Sequence, residues 1–271
     1  NGDVQPGEGF AIVGYGKLGG IELGYSSDLD MVFLYDANDQ GVTSGQRSIN
    51  NQVFYVRLGQ RIIHILSAQT TQGTLYESDL RLRPSGNSGL LVSSLNAFEK
   101  YQRQEAWVWE HQALVRARGI AGDPELIEHF NLIRQSVLMQ ARVKNDLQLE
   151  VVNMREKMKA SATPGDIKIG SGGLVDIEFI TQYGVLMYAD NKPGLLEWTD
   201  NIRILEALAR CQCFGEIDLA PLVSIYRELR SALHRKSLSS DKEKQTLDDF
   251  SDLSLQVQTI WRQIFKNSGI D

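Results

Sequence analysis

Cysteine is nearly absent from this chain. Cys211 and Cys213 are the only two thiols in 271 residues. Two thiols one residue apart on one helical stretch read as reduced residues, not as a disulfide. The four histidines are scattered and give no zinc spacing. No apolar run approaches the ~18 residues of a membrane span, and no signal peptide opens the chain. Asn1-Gly2-Asp3 reads instead as a cut within a longer protein. A basic excess is missing too: the net charge is −6 and the pI about 5.4. Proteins that track long nucleic acid show a basic patch and a raised pI, so the balance argues against a nucleic-acid partner. There is no internal repeat, heptad run, P-loop string or kinase catalytic-loop set. What remains is 42% hydrophobic and 23% charged. That is ordinary for a globular protein long enough for one large domain or two smaller ones.

The stretch Gly9 to Asp36 carries the densest signal. Phe10 to Val13 is an apolar strand, and Gly14-Tyr15-Gly16-Lys17-Leu18-Gly19 follows it as a glycine-rich turn. A second strand opens at Ser27-Asp28-Leu29-Asp30 and runs to Leu34. Side chains alternate across a strand, so Asp28 and Asp30 share a face. Two carboxylates that close repel unless a cation sits between them. Hard oxygen ligands suit Mg²⁺, which takes one or two carboxylates plus substrate phosphates. The glycines also fit G-x-G-x-x-G, with Asp36 about 20 residues on, as in a dinucleotide fold. That fold needs a crossover helix between its strands, and only Gly20 to Ser27 are available, with Gly20 and Gly24 among them. The turn is better suited to bringing backbone N–H groups and Lys17 to a phosphate chain.

A strand, a glycine-rich turn, then a strand opening with Asp-x-Asp is the layout of the DNA polymerase β type of nucleotidyltransferase. The longer string from Gly14 to Asp30 closely resembles the glutamine synthetase adenylyltransferase/adenylyl-removing family. Two further segments carry the resemblance. One is Tyr76 to Gly86, whose odd positions Glu77, Asp79, Arg81 and Arg83 share a face if Thr74 to Pro84 is a strand. That face is either a solvated edge of self-paired charges or a third carboxylate, Asp79, with two arginines beside the phosphates. The other is Asp166 to Phe179, a glycine-rich turn entering a helix. Asp176 and Glu178 either serve the helix dipole or face the catalytic strands, with Lys168 reaching a phosphate.

The resemblance implies an α+β nucleotidyltransferase domain over residues 1–122 and an all-α helical bundle over 123–271. The sequence marks that boundary at Gly122-Asp123-Pro124, an N-cap followed by proline. It implies catalytic and metal-holding roles for Asp28, Asp30 and Asp79, with two Mg²⁺ ions, and ATP as substrate. Gly16, Lys17, Gly19, Gly20, Ser27, Arg81, Arg83 and Lys168 are the expected nucleotide ligands, with Glu77, Asp176 and Glu178 behind them. The implied reaction moves AMP from ATP to a tyrosine hydroxyl of glutamine synthetase and releases pyrophosphate. The ending Asp176-Ile177-Glu178-Phe179 is similar to the C-terminal, adding copy of the family. The family setting is cytoplasmic, with the PII signal protein and glutamine as effectors and an N-terminal remainder of the same polypeptide as neighbour. The alternatives are the reverse phosphorolysis, a small-molecule nucleotidyltransferase, and a copy that only binds nucleotide or a regulator.

Periodicity predicts the remaining elements. A helix is expected over Gln46 to Ser67, with an apolar stripe through Val53, Phe54, Leu58, Ile62 and Ile65. Ser93 or Ser94 caps a long helix from Leu95 to Arg118, in which Trp107 and Trp109 are core residues and His111 is structural. Helices follow through Leu147 to Met158, Leu174 to Tyr188, from Thr199 or Asp200 to Cys211, from Pro221 to Leu238, and from Thr246 to Phe265.

Overall fold

The computed structural model describes residues 9–25, 27–38, 41–44, 46–71, 73, 76–238 and 246–266. The chain is α+β and divides into two compact units, Asn1–Val137 and Leu138–Asp271.

In the first unit, β1 (Gly9–Gly14) and β2 (Leu29–Asp36) pair antiparallel, with Val13 opposite Val32 and Gly14 opposite Met31. Between them lies a single four-residue turn of helix, α1 (Gly16–Gly19). Antiparallel neighbours need no crossover, so the dinucleotide arrangement is excluded. On its other edge β2 pairs in parallel with β3 (Ser78–Asp79) and then with β4 (Val92–Ser94). β5 (Arg118–Gly122) closes the far edge against β1. β2 is thus central, and Met31 through Tyr35 are all buried. Both faces being covered makes it an unbroken apolar run. Each such side chain contributes roughly 1.5–3 kcal/mol on burial. On one face α2 (Asn51–Leu66) lies close, because Gly59 has no Cβ to meet Val92 and Phe33. Tyr55 stacks on Tyr35 at 4.6 Å. The remaining helices of this unit are α3 (Leu95–Gln104), α4 (Val108–Val115) and α5 (Pro124–Leu138).

Several expectations shift. α2 starts at Asn51, where the Asn50 side chain accepts from Gln52 N–H, and its buried face is Asn51, Tyr55 and Gly59, while Val53 and Ile65 are exposed. Thr74 and Leu75 lie outside the described residues, and β3 is two residues long because Asp79 accepts the Arg81 N–H at 2.8 Å. That local turn competes with the ladder. The long helix predicted from Leu95 splits, since Glu110 reaches back to the N–H of Trp107 and starts a new helix there. Its expected last residue, Arg118, opens β5 instead. Trp107 and Trp109 are exposed, not core. The compact units divide after Val137, so that most of α5 lies in the first. Phe130 packs on Phe98 at 5.8 Å, and buried Arg134 donates to the carbonyls of Leu114 and Val115.

The second unit is helical among its described residues. α6 (Lys144–Lys159), α8 (Asn201–Arg210), α9 (Ala220–Leu238) and α10 (Ser251–Ile264) all pack against α7 (Leu174–Tyr188). α7 is apolar almost all round, as a helix enclosed by its neighbours must be. Asp200 caps α8 by accepting from Arg203 N–H. Cys211 and Cys213 are free thiols. No described helix is long and apolar enough to cross a membrane.

Candidate active site

The glycine turn is bound to the start of β2 through its backbone. Tyr15 N–H donates to the Asp30 carbonyl at 2.9 Å. Gly16 follows at φ +51°, and an Oδ of Asp30 occupies the place a Cβ would take. Glycine is required there twice over, by the left-handed backbone and by the carboxylate against it. Gly16→Ala is therefore expected to destabilise by about 1–2 kcal/mol. In a chain of this size that lowers the melting temperature by about 2–8 °C, and an unchanged melting temperature would contradict the contact.

Asp30 and Asp79 are direct partners across the parallel β2–β3 pair, and Leu29 N–H donates to Glu77 O at 2.7 Å. Asp28 precedes β2 and is exposed. Arg81 lies over this group. Its Nε donates to both Asp79 oxygens, at 2.8 and 3.0 Å, and its Nη2 makes a still closer bond. Its guanidinium is held protonated by Asp79 first, then by the charges of Asp30 and Asp28. All three predicted acids therefore act on one cation. In return Arg81 holds the Asp79 carboxyl below its ordinary value of 3.8, against the opposing effect of burial. A depressed folded-state value means the pair's stabilisation is complete above that ordinary value. It is lost as pH falls through the folded one. In Arg81→Gln the NMR titration midpoint of Asp79 is expected to rise towards the ordinary value, and an unmoved midpoint would contradict the pairing.

The other predicted ligands separate. Lys17 is half-buried on α1. Gly19 and Gly20 give their N–H groups to Tyr15 O and Gly16 O, and their bare Cα atoms lie against Arg116. Both positions are closely packed, with no room for a side chain. Ser27 is buried, with its Oγ accepting from Gly24 N–H at 2.9 Å. Arg83 is near enough to lower Asp79 electrostatically, but its guanidinium braces the following loop through the carbonyls of Leu80, Asn87 and Gly89. Glu77 is exposed and contributes through its carbonyl.

In the second unit Lys168 is exposed, and its N–H caps onto Asp166 at 2.7 Å. Asp176 does not present a spare acid. It pairs with buried Arg155 and accepts Gly172 N–H at 2.5 Å. Burial pushes its carboxyl up, and Arg155 and the Gly172 N–H pull it back. Glu178 accepts from Tyr226 O–H at 3.2 Å, in a chain that continues to Asn201 and Thr181.

Sequence reasoning gave Glu22, Arg116 and Arg118 no role. Arg116 forms a buried ion pair with Glu22, each side chain only 4% exposed. Arg118 donates to Gly19 O at 3.1 Å. Both arginines thus hold the glycine turn from the β5 side. Arg134 fixes the end of α4 just ahead of them, and burial lowers its guanidinium to about 10. Tyr15, wholly enclosed, has its phenol pushed well up by burial and then by Glu110. His111 is structural, bonded to Gln102 O at 2.8 Å.

Mg²⁺ is the cation these acids suit, since the donors are all carboxylate oxygens. Among the described residues no three such groups stand ready around one point. Asp79 is paired with Arg81. The donor set fits in kind.

The fold and site define an α+β protein with acids gathered beside a glycine turn. A family model for glutamate-ammonia ligase adenylyltransferase matches residues 1–133. A second, for GlnD PII-uridylyltransferase, matches 138–263. The chain is 49% identical over 266 residues to the bifunctional glutamine synthetase adenylyltransferase/adenylyl-removing enzyme of Hahella chejuensis (strain KCTC 2396), covering 94% of this chain. It spans 28% of that relative's length. The chain belongs to the glutamine synthetase adenylyltransferase/adenylyl-removing enzyme family.

Proposed function

We propose that this chain is an adenylyltransferase that moves AMP from ATP to a tyrosine hydroxyl of glutamine synthetase. It is the C-terminal, adding copy of the family. The observation that carries the reading is the register that sets Asp30 opposite Asp79, with Arg81 bonded to Asp79 and the Gly16 turn against Asp30. The first unit is the nucleotidyltransferase domain and the second a helical bundle. The tyrosine oxygen bonds to the α-phosphorus of ATP, the bond from that phosphorus to the bridging oxygen breaks, and pyrophosphate leaves. Mg²⁺ held by Asp28, Asp30 and Asp79 would supply charge neutralisation at the phosphates. Lys17 and Arg81 are the cations of this unit that bind the triphosphate. The turn fixes Asp30, and through it the line of acids, before substrate arrives; such preorganisation is what makes electrostatic stabilisation effective. The PII signal protein and glutamine act as effectors, and the setting is the cytoplasm.

The test is incubation with purified glutamine synthetase, Mg²⁺ and ATP labelled in the base. The expected product is glutamine synthetase carrying AMP on a tyrosine. Phosphate-dependent release of ADP from adenylylated glutamine synthetase, with no addition to the unmodified enzyme, would assign the opposite direction.

A further inference from the structure

The segment between α1 and β2 holds a backbone outlier. Ile21 stands at φ +56°, in the left-handed region. A β-branched residue is disfavoured there, where glycine or asparagine fits at less cost. The chain on both sides compels it. Gly20 N–H donates to Gly16 O at 3.1 Å, and Glu22 N–H donates to Lys17 O at 2.8 Å. The Glu22 side chain is then drawn inward to its buried pair with Arg116. Between these anchors the Ile21 side chain is left in solvent, 64% exposed. A side chain so exposed packs little within the fold, so little there offsets the backbone cost. Strain of this kind gathers at ligand-binding positions.

Tyr25 is the second large side chain turned outward from this segment, 67% exposed. It follows Gly24, whose N–H donates to Ser27 Oγ at 2.9 Å and whose carbonyl accepts Ser27 N–H at 3.2 Å. The turn that bears Tyr25 is thus closed twice, and an aromatic side chain on a fixed backbone loses little freedom on contact. The segment borders the acids at both ends. It leaves the α1 turn, where Gly16 lies against the Asp30 carboxylate, and leads through Ser27 into Asp28. Glu22 is the one charged side chain from Gly20 to Tyr25, and it is buried and paired. What Ile21 and Tyr25 present to solvent beside the acids is therefore uncharged.

We infer that Ile21 and Tyr25 form an apolar contact for the acceptor protein, seating the glutamine synthetase chain that flanks the target tyrosine. The inference rests on the reading in which a protein tyrosine receives AMP. A triphosphate gains nothing from two uncharged side chains, whereas a protein surface brings apolar groups to cover them, and tyrosine is among the residues that dominate such contacts.

The test is steady-state AMP transfer by the whole chain, with purified glutamine synthetase and ATP varied separately in Mg²⁺. Tyr25→Ser is expected to raise KM for glutamine synthetase about five- to thirtyfold. Its kcat and its KM for ATP should not change, the pattern of lost ground-state binding. Tyr25→Phe keeps the ring and is expected to stay within about twofold of the unaltered chain. Ile21→Asn is expected to raise KM for glutamine synthetase about three- to tenfold. It should also raise the melting temperature by about 1–4 °C, since asparagine tolerates the left-handed backbone. A residue with a merely structural role would not gain stability while losing acceptor binding. Three results would each overturn the inference and leave the proposed function standing: an unchanged KM for glutamine synthetase in the Ile21→Asn/Tyr25→Ser double variant, a rise in KM for ATP in its place, which would seat the adenine base there, or a melting temperature lowered by Ile21→Asn. No AMP transfer by the unaltered chain would overturn the proposed function, and the inference with it.

Discussion

Asp28→Asn and Asp30→Asn are each expected to lower AMP transfer by about 10²–10³-fold or more, the scale of losing one electrostatic partner of a transition state. The fold should survive both changes. Asp28 is exposed and lies outside the ladder. Asp30 is anchored through its carbonyl, which receives Tyr15 N–H, and its register with Asp79 is a backbone property. Asparagine keeps the size and one acceptor oxygen while it removes the negative charge, so a loss of this scale reports the carboxylate. Activity and melting temperature should be measured on the same preparations. Near-full activity of either variant in Mg²⁺ would remove that residue from the catalytic set.

Arg116→Met is expected to cost about 3–5 kcal/mol, because it leaves the Glu22 carboxylate buried without its cation. In a chain of this size that is a fall of roughly 6–20 °C in melting temperature. The pair joins residues 94 apart in sequence and sits directly under the glycine turn, with Gly20 against the guanidinium. Activity should fall along with stability, since the turn that fixes Asp30 loses its support. The double variant Glu22→Gln/Arg116→Met should recover part of the stability, because no unpaired charge is then buried. A melting temperature within about one degree of the unaltered chain, in Arg116→Met alone, would contradict a structural role for the pair.

The first two strands and the turn between them were legible in the sequence because they rest on local rules: apolar alternation, spacing and the conformational freedom of glycine. The caps at Ser94 and Asp200 were legible for the same reason. Local competition hid the rest. Asp79 takes the Arg81 N–H and ends β3 after two residues, so the alternating charges beyond it never share a strand face. The helix break at Trp107 was written in Glu110, three residues on, but apolar periodicity through the break outweighed it. Trp107 and Trp109 read as core by residue type, and their exposure depends on packing that no local pattern records. Long-range pairs such as Glu22–Arg116 leave only a weak trace: two charges in otherwise apolar surroundings.

The most direct test of AMP transfer uses ATP labelled either in the α-phosphate or in the γ-phosphate, with purified glutamine synthetase and Mg²⁺. Attack at the α-phosphorus predicts α-label on a glutamine synthetase tyrosine and γ-label released in pyrophosphate. Transfer of γ-label to the protein would contradict the account.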